Sequence, residues 1–275
     1  SNMDYFLYLL IFCMGTVFGS FFTLAVYRIP LRQDIVHTRS YCPNCNHKLS
    51  FFDMIPILSY IFLGGKCRYC KQKIRPRYLM LEILSGLVFV LFAASIKFSI
   101  YSISLTQIIA YVVSGILYIC TLFIIAGIDK EKIKIEKPVL LFGFICVISY
   151  IVYLYIIEKD PSIYRYVIYL ILFCALMILD TLYLRKKSKN SYPIDIVLLL
   201  LIMLMYSYEV VCIYTVIITL IAISLQLLIQ KCNRRKSKCV KVDKNKETKI
   251  PIGFYMCTAN IVSLIVTNFC IFYIL

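Results

Sequence analysis

The chain has 275 residues, of which 61% are hydrophobic, and carries a formal net charge of +16. A soluble domain averages about 45–50% apolar residues; here the excess falls in runs of roughly twenty, the length that crosses a bilayer, which excludes a soluble globular domain and defines a polytopic membrane protein. Nucleic-acid binding is excluded as well, because the positive charge is spread over alternate loops and forms no single long patch with interleaved aromatics.

Ser1-Asn2, ahead of Met3, reads as an expression scar. Eight apolar spans are predicted, at 4–26, 77–97, 104–127, 138–157, 162–184, 193–208, 210–230 and 251–275. The sixth is short. The first is too long for a signal-peptide core and has no basic flank before it, so it reads as a retained span. Helix is the form expected of each, since a backbone in lipid must satisfy its own hydrogen bonds. No internal repeat stands out. The predicted fold class is therefore all-α, about eight transmembrane helices with a small loop domain between the first two. The domain reading is 1–2 scar, 3–27 first helix, 28–76 loop domain, and 77–275 membrane domain of about seven helices.

The loop 28–76 carries Cys42-x-x-Cys45 and Cys67-x-x-Cys70. Each pair forms a tight knuckle that aims two thiolates at one point, and two knuckles complete the tetrahedral four-sulfur set that a structural zinc ion accepts. Lys48, Lys66, Arg68 and Lys71 offset the charge of four thiolates. His37 and His47 are nearby donors that this set does not need, and a redox role for the pairs is the main alternative. The other nine of the thirteen cysteines, such as Cys13, Cys120, Cys146 and Cys174, read as small hydrophobes; Cys232 and Cys239 flank a basic loop.

All but Lys97, Lys159 and Arg165 of the 30 basic residues fall in the loop 28–76 with its flank and in the loops after spans three, five and seven. The positive-inside rule places those loops in the cytoplasm and both termini outside. One span more or fewer would scatter the charge across both faces. At the same face, at span ends, lie four acids: Glu82, Asp129, Asp180 and Asp195. Ionisable groups at or in a bilayer are costly and mark function. Asp129 and Asp195, at matching depth, suggest an acid/base dyad in which one carboxylate activates water and the other protonates a peptide carbonyl. Pro193 suits the start of a helix, which puts Asp195 in a first turn where the helix dipole favours its ionised form, whereas Asp129 lies near a helix C-terminus. The bland alternative for each is an interfacial acid that pairs with a lysine.

Around these residues the chain resembles a known family. The run GSFFTLAVYRIP (19–30), the four-cysteine loop with DMIPILSYIFLGGKCRYC (53–70), and IRPRYLMLE (74–82) are similar to the opening motifs of the bacterial type IV prepilin peptidases, membrane aspartic peptidases of the Gly-x-Gly-Asp type. The resemblance implies an enzyme of the bacterial cytoplasmic membrane. It implies removal of the basic leader of prepilins and pseudopilins at the cytoplasmic face, just before their hydrophobic helix, and N-methylation of the new terminus with S-adenosylmethionine. It maps the catalytic aspartates to Asp129 in AGIDKEKIKIEKP and Asp195 in YPIDIVLLLL, and KIPIGFYM (249–256) to part of the final motif. The chain departs from that pattern at Tyr192 and Ile194, where glycines are expected, at Val197 and at Glu136. Asp180 is the rival for the second aspartate. The glycine substitutions motivate a second reading, a catalytically reduced homologue acting as an assembly scaffold. A transporter would need a polar path through mid-membrane, and these acids cluster at one face. The residues that hold the methyl donor are not identified, and no glycine-rich strand–turn–helix of the usual kind is visible.

Overall fold

The computed structural model describes residues 2–35, 37, 39–42, 44–99, 105–159, 164–184, 191–237 and 250–274. Ser1, the basic cluster Arg185–Lys189, Cys239 and the lysines of 238–249 lie outside the described residues. In chain order the helices are α1 (Asn2–Arg28), α2 (Leu58–Phe62), α3 (Arg77–Ser95), α4 (Leu105–Lys132), α5 (Lys137–Tyr153), α6 (Tyr164–Leu179), α7 (Tyr192–Tyr206), α8 (Glu209–Ser237) and α9 (Ile252–Phe269). The all-α expectation holds: no strand forms among the described residues, and seven helices are long and apolar enough to cross a membrane. The apolar α7 is the short one. Its 15 residues rise about 22 Å, less than the hydrocarbon core of about 30 Å.

The chain divides into two compact units, Ser1–Ile116 with Asn268–Leu275, and Leu117–Thr267. In the first, α1 lies directly against α3. A Cβ on Gly15 would meet the Gly86 Cα at 2.7 Å, and one on Gly19 would meet the Glu82 Cα at 2.8 Å. Small residues permit this approach where lipid offers helices no hydrophobic drive to associate. Ser85, fully buried in the same seam, donates its hydroxyl to the Gly15 carbonyl at 2.8 Å.

In the second unit α7 runs antiparallel along the end of α4. Its first residue, Tyr192, bonds Asp129, and its last, Tyr206, stacks on Tyr118 with ring centroids 4.2 Å apart. Tyr118 also donates to Asn260 Oδ1 at 2.6 Å, and Asn260 donates to Thr215 Oγ1 at 3.1 Å. This fully buried network joins α4, α8 and α9, and its polar atoms find partners inside the protein, as an apolar interior demands. Gly143 of α5 admits Thr121 of α4, whose Cγ2 lies 2.6 Å from where a Cβ would be. α4 itself extends to Lys132, beyond the expected end at 127: AGIDKEK holds no proline, and the good helix formers Lys130, Glu131 and Lys132 carry the helix past Gly127. Asp129 is therefore in its last turn, and Ile133, in a left-handed conformation (φ 50°), closes the helix by donating its N–H to the Asp129 carbonyl at 2.8 Å.

A four-cysteine loop and a buried carboxylate site

The two cysteine pairs fold as copies of one knuckle. The N–H of Cys42 bonds the His47 carbonyl, and that of Cys67 bonds the Gln72 carbonyl. The N–H groups of Asn46 and Lys71 return to the carbonyls of Cys42 and Cys67, and both residues adopt positive φ (54° and 60°) to make the turn. The four Sγ atoms all lie within 4.8 Å of one another, with Cys42 and Cys70 at 3.9 Å. Sulfurs ~2.3 Å from one tetrahedral metal ion would be spaced about 3.8 Å, so this donor set can hold a metal ion. The Cys70 thiol is drawn down to about 6, first by the Gln72 backbone and then by the Asn44 amide. The Cys45 thiol moves the other way, to about 11, so easy proton loss is not shared by the whole set. The histidines are engaged elsewhere: His47 stacks on Tyr69 with centroids 3.6 Å apart, and His37 pairs with Asp34.

The DMIP segment is tied to the second knuckle by Asp53. Its side chain, 2% exposed, accepts from Arg68 at 2.7 Å and from Ser50 at 2.8 Å. Burial opposes ionisation, but the bonds from Arg68 and Ser50 prevail and hold the Asp53 carboxyl below its ordinary value. Four residues on, Ile57 takes φ 62°, which a β-branched side chain disfavours. Glu82 at the start of α3 accepts the Ile57 N–H at 2.8 Å and holds it there. Of the four candidate acids, Glu82 thus anchors the loop.

Asp129, Asp180 and Asp195 are buried, at 0%, 0% and 2% exposure, but their surroundings differ. Asp180 forms a buried ion pair with Lys137 at the start of α5. Lys137 counted in the sequence as a loop charge; the fold buries it instead, and that pair accounts for Asp180. Among the described residues no lysine pairs with Asp129. Its Oδ2 accepts the Tyr192 hydroxyl at 3.0 Å and the Phe254 N–H at 2.9 Å. The same Tyr192 oxygen accepts the Gly253 N–H at 3.2 Å. Gly253 and Phe254 open α9, where N–H groups have no partner within the helix and the dipole favours an anion. A Cβ on Gly253 would come within 3.1 Å of Asp129 Oδ2, so the residue is small where the carboxylate approaches the backbone. Among the described residues Asp129 Oδ1 has no hydrogen-bond partner. Leaving a buried acceptor unpaired costs about 1–3 kcal/mol, the sort of cost found at functional sites. Asp195 lies in the first turn of α7, as expected from Pro193, three residues after Tyr192, and accepts the Ser191 hydroxyl at 3.3 Å. Residues three apart share a helix face, so the end of α7 that touches Asp129 is the end that carries Asp195.

Tyr192, Gly253 and Phe254 were not singled out from sequence as partners of Asp129. Tyr192 registered only as a departure from a glycine motif, and the KIPIGFYM run only as a marker of register. The available signal was the Pro-x-Gly at 251–253, which opens a helix with its N–H groups accessible.

Fold and site define a multi-pass α-helical membrane protein with a four-thiol loop able to hold a metal ion in one unit and a buried carboxylate, fed by two helix N-termini, in the other. Residues 13–96 match the family model of the Bacterial Peptidase A24 N-terminal domain. The chain is 43% identical over 79 residues to a prepilin leader peptidase/N-methyltransferase of Myxococcus xanthus, a match covering 29% of this chain and 24% of that one. It is 32% identical over 157 residues to the protein of that name from Vibrio cholerae (53% and 58%), and 35% over 133 residues to that of Bacillus subtilis (48% and 50%). The matches span between about a quarter and somewhat over half of those relatives' lengths. No solved structure matches the chain. The likeness to the prepilin leader peptidases is therefore concentrated in the first third, where the motifs implied it, and extends in part beyond.

Proposed function

We propose that the chain is a membrane aspartic endopeptidase that removes the leader of type IV prepilins and pseudopilins at the cytoplasmic face, with Asp129 and Asp195 as the catalytic pair. The observation that carries this reading is the arrangement at Asp129. A fully buried carboxylate has one oxygen held by two donors and the other without a partner among the described residues, beside the helix end that bears Asp195. One carboxyl group activates water against the scissile carbonyl while the other supplies a proton to it. The sequence separated their roles by helix ends, but each carboxyl group is at a helix N-terminus, Asp195 in α7 and Asp129 before α9. The hydrogen bonds at Asp129 Oδ2 distinguish them instead. A substrate helix entering from the bilayer would present its leader junction at the depth where spans end.

Cys42, Cys45, Cys67 and Cys70 would hold zinc, whose preferred four-thiolate set and sulfur spacing they match. The ion would order the loop 28–76, which is too short for a core of its own. The relatives' names carry an N-methyltransferase activity, and we extend it to this chain, with S-adenosylmethionine as methyl donor and the loop domain as its seat. The described residues offer no glycine-rich strand–turn–helix for that cofactor, and no step is routed through it. The reduced-homologue reading rested on the residues in place of the motif glycines, and the bond from Tyr192 to Asp129 weakens it. The test is cleavage of a prepilin-like substrate by the protein in lipid nanodiscs, beside Asp129→Ala and Asp195→Ala. Each variant is expected to lose activity; cleavage by Asp195→Ala at the wild-type rate would remove the pair.

A further inference from the structure

Tyr192 stands where the family resemblance calls for glycine, and a bulky phenol there is not neutral. Its oxygen receives the Gly253 N–H at 3.2 Å, which directs its own proton away from α9 and onto Asp129 Oδ2, 3.0 Å distant. The Phe254 N–H reaches the same Oδ2 at 2.9 Å. A carboxylate oxygen has two lone-pair sites, and here two donors reach the one oxygen. A proton arriving at Asp129 therefore cannot settle on Oδ2 without displacing one of them. Oδ1, on the same buried carboxyl group, has no such partner among the described residues.

We propose that Tyr192 is a positioning residue that fixes the rotation of the Asp129 carboxyl group and thereby assigns proton transfer to Oδ1. Oδ2 serves as the tethered oxygen throughout; as base, Oδ1 takes a proton from the water whose oxygen bonds the scissile carbon and passes it to the amide nitrogen as the C–N bond breaks, and as acid, it protonates the carbonyl oxygen and takes that proton back when the tetrahedral intermediate collapses. The phenol remains protonated at each stage and exchanges nothing with the substrate. The idea rests on the peptidase reading for its catalytic consequence, but the clamp itself is a property of the resting protein. In this chain the side chain of Tyr192 thus supplies through its hydroxyl a contact that glycine could not.

The experiment uses the full chain in nanodiscs, with ¹³C-labelled aspartate and the infrared difference against Asp129→Asn to isolate the Asp129 carboxyl band. Tyr192→Phe keeps the ring and removes the donor. The expected result is a shifted Asp129 band and a fall in kcat of about 10- to 100-fold, the range for losing one hydrogen bond to a charged group, with KM for a prepilin-like peptide within about twofold. Site-specific 3-fluoro- and 3,5-difluorotyrosine at position 192 retain packing and strengthen the donor, and should move band and kcat in a graded series even if Tyr192→Phe folds poorly. A band that ignores both kinds of substitution overturns the proposal, as does a kcat loss with no change in the band, which is the mark of a merely structural role. A shifted band in a protein whose wild type cleaves no prepilin keeps the clamp and discards the peptidase reading.

Discussion

The four-cysteine loop and the Asp129 site are built in opposite ways. The loop draws all its donors from residues 42–70, each knuckle made by backbone bonds no more than five residues apart in sequence. The Asp129 site draws one carboxylate from the end of α4, a hydroxyl from the start of α7 63 residues later, and an amide from the start of α9 125 residues later. The first is local chemistry that recurs wherever the spacing recurs. The second exists only when three helices are packed at one rotation and one depth. Local sites tolerate changes elsewhere; assembled sites do not.

The largest effect that sharpens this contrast is expected from Asp129→Asn. It should lower the cleavage rate by about 10²–10⁴-fold, the usual weight of a general acid or base, while elemental analysis finds the metal content of the loop unchanged. Loss of metal together with activity would mean that the two regions are not independent. Next, if the loop holds the proposed ion, Cys67→Ser should abolish metal retention and leave the loop open to proteolysis, since the ion would contribute the loop's folding energy. The Asp129 carboxyl band should stay where it is in that variant, and a shift would break the comparison from the other side. Gly253→Ala is smaller. Its Cβ would stand 3.1 Å from Asp129 Oδ2, so the carboxylate must give by a few tenths of an ångström. A several-fold loss in kcat is expected with metal content and thermal stability near wild type.

The smallest effect belongs to Asp53→Asn. Because Asp53 is held below its ordinary value, its contribution is fully present above the usual carboxylate range and fades as pH falls through its folded value. Wild type and variant should therefore differ modestly in resistance to a chelator at neutral pH, as expected of a pair whose Arg68 partner is half exposed, and converge in strong acid. A gap that widens on acidification would refute the assignment.

The same contrast explains what was legible. Spans were readable because apolar length is a local property: 77–97 became Arg77–Ser95 and 251–275 became Ile252–Ile274. α4 outran its expected end because hydropathy falls at Asp129 while the good helix formers Lys130, Glu131 and Lys132 follow it. Glu82, Asp129, Asp180 and Asp195 were legible as a set, being costly charges at span ends, yet nothing in their spacing separated them. Asp180 was distinguished by Lys137, Glu82 by Ile57 and Asp129 by Tyr192, all partners remote in sequence or on another element.

By itself the sequence determined that this is a helical membrane protein with a four-thiol loop, because length, polarity and Cys-x-x-Cys spacing act over a few residues and need no partner. Only the tertiary structure decided that Tyr192 serves Asp129, that a Cβ at Gly253 would crowd that carboxylate, and that Asp180 is neutralised by Lys137. Those facts depend on the axial register and rotation of packed helices, which no local pattern specifies, since an apolar helix is nearly as apolar on every side.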